Sequence, residues 1–253
     1  MNTKLIHGKR ILLVVAGGIA AYKALELTRE LGRHGCAVRA ILTDAGAKFV
    51  TPLSLAALTG DKVYTDLFSL TDESEMGHIR LSREADLVLV VPATANILAK
   101  MAQGLATDLA TTALLATDKP VMVAPAMNVR MWEHAATQAN MTTLRSRGVH
   151  IIPPSVGDMA CGEQGEGRLA DVPAIIQAIE DFFMRGAPLK GRRAVVTSGP
   201  TFEPVDPVRF IGNRSSGRQG HAIARALAQL GAETILVSGP VAIADPAGVT
   251  VIR

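Results

Sequence analysis

Six short segments of this chain carry the residue types that chemistry needs. Ala16-Gly17-Gly18-Ile19-Ala20 sets two adjacent glycines between an apolar run and a helix-like stretch. Paired glycines let the backbone turn sharply and let a ligand approach, and the free N–H groups of the following helix favour a phosphate. The same residues also fit a tight turn with no ligand, and their spacing is not the G-x-G-x-x-G of a dinucleotide site. Thr43-Asp44 ends the second apolar run, where Asp44 would suit a ribose and Thr43 a phosphate, and both readings stand. Pro92-Ala93-Thr94-Ala95-Asn96 offers small and amide residues to the edge of a flat ring, or simply a helix cap at Thr94.

Three further segments suit proton transfer and anion binding. His78 follows a polar stretch, Ser69–Gly77, read as mobile, and precedes Ile79–Leu81, read as a strand. A histidine at a strand edge can move protons near neutral pH, or can simply be a surface residue. In Pro125–Trp132 the amide of Asn128 could hold a carboxylate while Met131 packs on an apolar ligand. Equally, Asn128 could cap a helix and Trp132 fill the core. Cys161 lies in Met159–Arg168, beside three glycines in six residues. That composition excludes a stable helix and reads as a flap. A loop thiol is a candidate for reactivity, whereas Cys36, entering the second strand, reads as inert core. The other histidines (His7, His34, His134, His150 and His221) have no ligand spacing, and H-E-x-x-H and C-x-x-C are missing, so no metal site is expected.

These segments need a frame. Apolar runs without alternation at Ile11–Ala16, Val38–Leu42, Leu87–Val91, Val121–Ala124 and Val149–Ile152 predict strands covered on both faces. Helix-like segments between them, such as Ala20–Leu31, predict right-handed crossovers. The fold class is therefore α/β, with a doubly wound parallel sheet in a three-layer, flavodoxin-like or Rossmann-like arrangement. Ligands are expected at the carboxyl ends of its strands. From this rhythm alone a nicotinamide dehydrogenase would be the natural reading. Asp171–Met184 predicts a closing helix, with Asp171 as cap and Pro173 in its first turn. Residues 185–193, RGAPLKGRR, read as a linker, giving domains 1–189 and 190–253. The second begins another Rossmann-like unit, with strands at Ala194–Thr197 and Thr234–Val237, a helix at Gly220–Leu230 and a fresh strand in VTVIR. So few parallel strands would leave faces uncovered.

Composition narrows the function classes. With 48% apolar and 19% charged residues among 253, the chain is globular. A net charge of +3 with 4% aromatics argues against nucleic acid. No apolar run reaches the roughly 18 residues of a membrane span. The apolar N-terminal run continues as an amphipathic helix without a cleavage-like region, so it reads as a first strand rather than a signal peptide. Two cysteines suggest a reducing compartment, and a cytoplasmic protein is expected.

In order, AGGIAAYK, EMGHIRLS, PATANILAK, PAMNVRMW and ACGEQGEGR resemble the homo-oligomeric flavin-containing cysteine decarboxylases, from residue 8 to about 185. PAMNVRMW and the cysteine-bearing flap are the most specific of them. The resemblance implies FMN, with Gly17, Gly18, Ile19 and Thr43 on its phosphate side and Thr94, Ala95 and Asn96 near its ribityl chain and ring. It implies a trimer with FMN between protomers, or a dodecamer of such trimers, and the Ala-rich residues 101–116 would suit close packing there. The implied reaction converts 4′-phosphopantothenoylcysteine to 4′-phosphopantetheine in coenzyme A biosynthesis. FMN oxidises the substrate thiol to a thioaldehyde, which makes the neighbouring carboxylate able to leave as CO₂. Reduced FMN then returns hydride while an acid supplies a proton. By the same resemblance Cys161 is that donor, His78 the base, Asn128 the carboxylate holder and Met131 a substrate contact. Residues 197–220, TSGPTFEPVDPVRFIGNRSSGRQG, resemble the start of a phosphopantothenate–cysteine ligase domain, whose complete form uses CTP and Mg²⁺. There Asn213 matches a residue acting on the acyl-cytidylate, and Gly199-Pro200-Thr201 the opening nucleotide loop. The family's lysine-rich CTP loop lies beyond Arg253, so no ligase turnover is expected from these residues alone. Two alternatives share the fold: a flavin prenyltransferase-like protein, which should lack PAMNxxMW and the flap, and a trimeric FMN-binding regulator, against which Cys161 argues.

Overall fold

The computed structural model describes residues 6–66, 77–158, 162–185 and 188–253. Two compact units, Met1–Ile179 and Glu180–Arg253, divide the chain. In order, the first unit runs β1 (Arg10–Val15), α1 (Tyr22–Arg33), β2 (Ala37–Leu42), α2 (Pro52–Thr59), β3 (Val63–Tyr64), α3 (Gly77–Arg83), β4 (Leu87–Ala93), α4 (Ala95–Gln103) and α5 (Leu109–Ala116). It continues through β5 (Val121–Pro125), α6 (Val129–Glu133), α7 (Ala135–Ser146), β6 (His150–Ile151), β7 (Ser155–Asp158) and β8 (Gln164–Arg168) into α8 (Val172–Arg185).

Six strands form one sheet in the order β3-β2-β1-β4-β5-β6, and every pairing is parallel. The apolar runs explain its core. All seven residues of β4 and the last five of β1 are buried, as strands covered on both faces must be. Each such side chain contributes about 1.5–3 kcal/mol by leaving water. Helices cover the faces through apolar stripes: Ala24, Leu27, Thr28 and Leu31 on α1, and Val172, Ile175, Ile176 and Ile179 on α8. Element ends follow local chemistry. Thr51 caps α2 with Pro52 in its first turn, and Gly60 closes it in the left-handed region. Asp108 and Thr111 form a reciprocal capping box at α5.

Two sequence expectations need correction. Ile79–Leu81 is not a strand but part of α3. Burial there recurs at Leu81, Ser82 and Ala85, a helical spacing rather than an alternation. Gln164–Arg168 of the glycine-rich segment is not a loop but β8, paired antiparallel with β7. Its left-handed or extended glycines keep it from being a helix, and pairing supplies the order that propensity lacks. The polar stretch Ser69–Gly77 falls, apart from Gly77, outside the described residues.

The second unit holds β9 (Arg193–Ser198), β10 (Phe202–Pro204), β11 (Phe210–Gly212), α9 (Arg218–Gln229), β12 (Glu233–Ser238) and β13 (Thr250–Ile252). A parallel sheet in the order β13-β12-β9 packs against α9, and β10 and β11 make a separate hairpin with the rings of Phe202 and Phe210 edge to face at 4.6 Å. Thr234, Leu236 and Ser238 are buried, while Val195, Val237 and Ile252 are exposed, so one sheet face is uncovered as expected for so few strands.

Candidate active site

A cavity of about 1310 Å³ opens at the carboxyl ends of β1, β2, β4 and β5. Strand order reverses between β1 and β4, which leaves a crevice there in any doubly wound sheet. Its volume exceeds the roughly 300–1,000 Å³ usual for one small ligand, and so suits a cofactor beside a substrate.

The β1–α1 turn forms one wall. Gly17 is there for packing: a Cβ would stand 2.3 Å from Ala45 Cβ and 2.6 Å from the Ala45 carbonyl carbon. Gly18 has room, since a Cβ would meet only Thr94 Cγ2, at 3.7 Å, but that Cβ would narrow the space between the two turns. Gly18 is also the N-cap of the short helical turn Ile19–Ala21 and brings no side-chain acceptor to it. The opening N–H groups of this turn have no side-chain cap, and Gly18, Ile19 and Ala20 all line the cavity. Thr43 lines it too, but its hydroxyl donates to the Val15 carbonyl at 3.2 Å and accepts from the Gly46 N–H at 3.0 Å. Its one proton is thus directed at the protein. Thr94, Ala95 and Asn96 form the opposite wall, and Thr94 caps α4 by accepting from the Ile97 N–H at 3.4 Å. The cap reading of Thr94 holds, and the same residue lines the cavity.

Asn128 and Met131 line the cavity from the β5–α6 turn. Asn128 caps α6: its Oδ1 accepts from the Arg130 N–H at 2.7 Å, which leaves its NH₂ to donate outward, to the Glu163 carboxylate. Trp132 is buried core, and Cys36 is buried with its thiol donating to the Ile6 carbonyl. The His78 side chain and Cys161 lie outside the described residues. The backbone of His78 belongs to the first turn of α3. At the other end of that segment Glu84 bonds Arg80 at 2.8 Å and also Arg39 on β2. The Arg80 bond, then the Arg39 bond, holds the Glu84 carboxyl below the usual carboxylate range.

Charged residues that the sequence reading missed also reach the cavity. Lys23, 14% exposed, bonds Asp171 at 2.8 Å, and Arg168 bonds the same oxygen at 3.0 Å. The Lys23 bond first, then the charges of Lys23 and Arg168, keeps Asp171 below the usual carboxylate range. Lys100 bonds Thr107 at 2.7 Å and Asp108 at 3.0 Å. Burial pushes Asp108 up, but the Thr111 N–H, Lys100 and the Thr111 hydroxyl outweigh it and leave its carboxyl low. The signal for Lys23 was its place one turn into the helix after the glycines. Arg168 had none, because only the β7–β8 pairing delivers it.

The second unit carries its own cleft of about 750 Å³, at the carboxyl ends of β9 and β12 and the start of α9. Gly199, Pro200 and Thr201 line it. Asn213 does not, but its amide donates to Thr201 Oγ1 and accepts from the Ser215 N–H, both at 3.0 Å, tying two lining segments together. Among the described residues no cluster of three or more His, Cys, Asp or Glu could hold a metal, and no helix is long and apolar enough to cross a membrane.

Comparison with known proteins agrees with this geometry. Residues 189–253 match the model of the DNA/pantothenate metabolism flavoprotein C-terminal domain. The chain is 48% identical over 244 residues to the coenzyme A biosynthesis bifunctional protein CoaBC of Vibrio parahaemolyticus, covering 96% of this chain and 61% of that relative. It therefore spans less than two thirds of the length of such curated relatives. A solved PPC decarboxylase cysteine-to-serine mutant complexed with pantothenoylaminoethenethiol superposes with a TM-score of 0.64 at 34% identity, over 70% of this chain and 98% of that one. The FMN binding protein AtHal3 does so with a TM-score of 0.63 at 34% identity, over 71% and 98%. Residues 2–184 match the Flavoprotein family model, and through them this chain belongs to the Flavoprotein family.

Proposed function

We propose that this chain is an FMN-dependent decarboxylase that converts 4′-phosphopantothenoylcysteine to 4′-phosphopantetheine in cytoplasmic coenzyme A biosynthesis. One observation carries the reading. A single cavity gathers Gly18, Thr94, Asn96, Asn128 and Met131 from turns after three different strands, with room for a ring system and a substrate together. The similarity to a PPC decarboxylase and to FMN-binding relatives supports the same conclusion. Domains 1–189 and 190–253 then correspond to the decarboxylase and to the opening part of a ligase domain that uses CTP and Mg²⁺ when complete, with Asn213 acting on the acyl-cytidylate.

The residues present fit FMN. The first-turn N–H groups at Gly18–Ala20 suit its phosphate, and Lys23 adds positive charge one turn further. Thr43 contributes to the phosphate side mainly by shaping that turn, since its proton is engaged. Thr94, Ala95 and Asn96 flank the ribityl chain and ring. When bound, FMN supplies a two-electron sink for the substrate thiol and gives the pair back once CO₂ has left.

The protein's own groups do the rest. His78 takes the thiol proton, a task suited to a side chain that titrates near neutrality. Asn128 is held by its cap so that its NH₂ group faces outward, and a neutral amide donor can orient a carboxylate without fixing its charge in place. Met131 offers an apolar contact to the substrate chain. Cys161, on the segment joining β7 to β8, delivers the final proton; a thiol is close enough to neutrality in pKa to do so. Ile19, Tyr22 and Met131 line the cavity yet are 63%, 58% and 48% exposed, which supports a mouth completed by self-association as a trimer or dodecamer.

The test is anaerobic mixing of the yellow protein with 4′-phosphopantothenoylcysteine while CO₂ and flavin absorbance are followed together. Wild type releases CO₂ and 4′-phosphopantetheine in equal amounts. Cys161→Ser retains FMN and releases CO₂ but forms no 4′-phosphopantetheine. A colourless protein that takes up no added FMN, or full product from Cys161→Ser, refutes the respective assignment.

A further inference from the structure

The β7–β8 hairpin is fastened to the turn that carries Asn128. The Met127 N–H donates to the Gly167 carbonyl at 3.0 Å. Two residues earlier, Gly165 lies so close to α6 that a Cβ would stand 2.7 Å from Val129 Cγ2. Two residues earlier again, Glu163 accepts from the Asn128 amide. Residues 163, 165 and 167 thus form one row of contacts to that turn, with the register shift of the hairpin falling between Glu166 and Arg168. The two glycines permit the approach, and Glu163 is the row's one long side chain. Gln164, Glu166 and Arg168 make up the other row, and all three are exposed.

We infer that Glu163 is a specificity-determining residue: its carboxylate occupies the Asn128 amide in the resting protein and exchanges with the carboxylate of the incoming substrate. The inference rests on the proposed role of Asn128. A carboxylate is the group that amide is proposed to hold, and Glu163 supplies one from within the chain. Two carboxylates on one amide repel, so a substrate carboxylate must displace that of Glu163 to be seated. A ligand without a carboxylate has no need to displace it. Glu163 therefore opposes carboxylated ligands alone. Once CO₂ has gone, its own carboxylate can return to the amide.

The experiment uses the FMN-loaded full chain and reads two quantities: kcat/KM for 4′-phosphopantothenoylcysteine, and the competitive inhibition constant of 4′-phosphopantetheine, which lacks the carboxylate. In Glu163→Gln the competing charge is gone, so kcat/KM rises about three- to tenfold, the range of one ordinary hydrogen bond's net contribution, while the inhibition constant moves less than about twofold. Glu166→Gln makes the same charge change in the exposed row and moves neither quantity more than about twofold. A fall in kcat/KM for Glu163→Gln, or an equal shift in both quantities, overturns the exchange and makes Glu163 a fastening of the hairpin. Asn128→Ala separates the two layers of the argument. If it lowers kcat/KM while Glu163→Gln changes nothing, only the exchange fails. If Asn128→Ala changes nothing, the carboxylate-holding role of Asn128 fails, and the exchange with it.

Discussion

Asn128 caps a helix with one end of its side chain and presents a donor, the one proposed to hold the substrate carboxylate, with the other. Its oxygen closes the first turn of α6, and its nitrogen donates toward the hairpin. Asn128→Asp keeps the cap, because aspartate caps a helix as well as asparagine. It loses the donor and sets a second carboxylate against Glu163. The expected outcome is at least about a tenfold fall in kcat/KM for the carboxylated substrate, with FMN still bound. Steady-state kinetics alongside the flavin absorbance of the purified variant check it, and unchanged kinetics would remove Asn128 from substrate binding.

At the scale of elements, the two glycines after β1 make separable predictions. Gly17→Ala drives a methyl into Ala45, main chain included, and costs about 1–3 kcal/mol of stability. Gly18→Ala meets nothing closer than 3.7 Å, so stability holds while affinity for FMN falls several-fold. Thermal unfolding of the apoprotein and flavin titration distinguish the pair. The start of α5 offers a pH test. Asp108→Asn retains the cap but not the charge facing Lys100, for a loss of about 0.5 kcal/mol at neutral pH, modest because the pair is partly exposed. Since the folded pKa lies below the unfolded one, the ionised carboxylate stabilises above about pH 4. Its contribution disappears as pH falls through the depressed value, so variant and wild type converge in acid; urea titrations at neutral and acidic pH measure this. The same elements explain what the sequence disclosed. β1, β4 and β5 were legible because fully buried strands must be apolar throughout, and α1 because its stripe recurs every three to four residues. β6 was legible within the apolar run Val149–Ile152, whereas β3 has only two residues and leaves too short a pattern. β8 was hidden because glycine disfavours strands, and α3 because three residues of apolar-polar alternation mimic one. Gly18, Thr94 and Asn128 could be nominated from their places after strands. Glu163 and the Lys23–Asp171–Arg168 cluster could not, since pairing across 35 or 148 residues is a product of the fold.

At the scale of the molecule, the first unit has the makings of an independent protein. About 70% of this chain accounts for 98% of the solved PPC decarboxylase mutant, whose chain is therefore essentially this unit alone. A polypeptide of residues 1–189 is expected to bind FMN and release CO₂ within about twofold of the full chain's rate, which a side-by-side turnover assay decides. The cavity's wall begins at Ala16 and is not finished until Leu169, and the ion pair that steadies it joins Lys23 to a partner 148 residues later. A ribosome making this chain must therefore have released nearly the whole first unit before any complete pocket exists. Flavin capture is accordingly a late event in biosynthesis, and a chain stalled before the hairpin emerges would leave the cofactor unbound and the unfinished sheet exposed to chaperones.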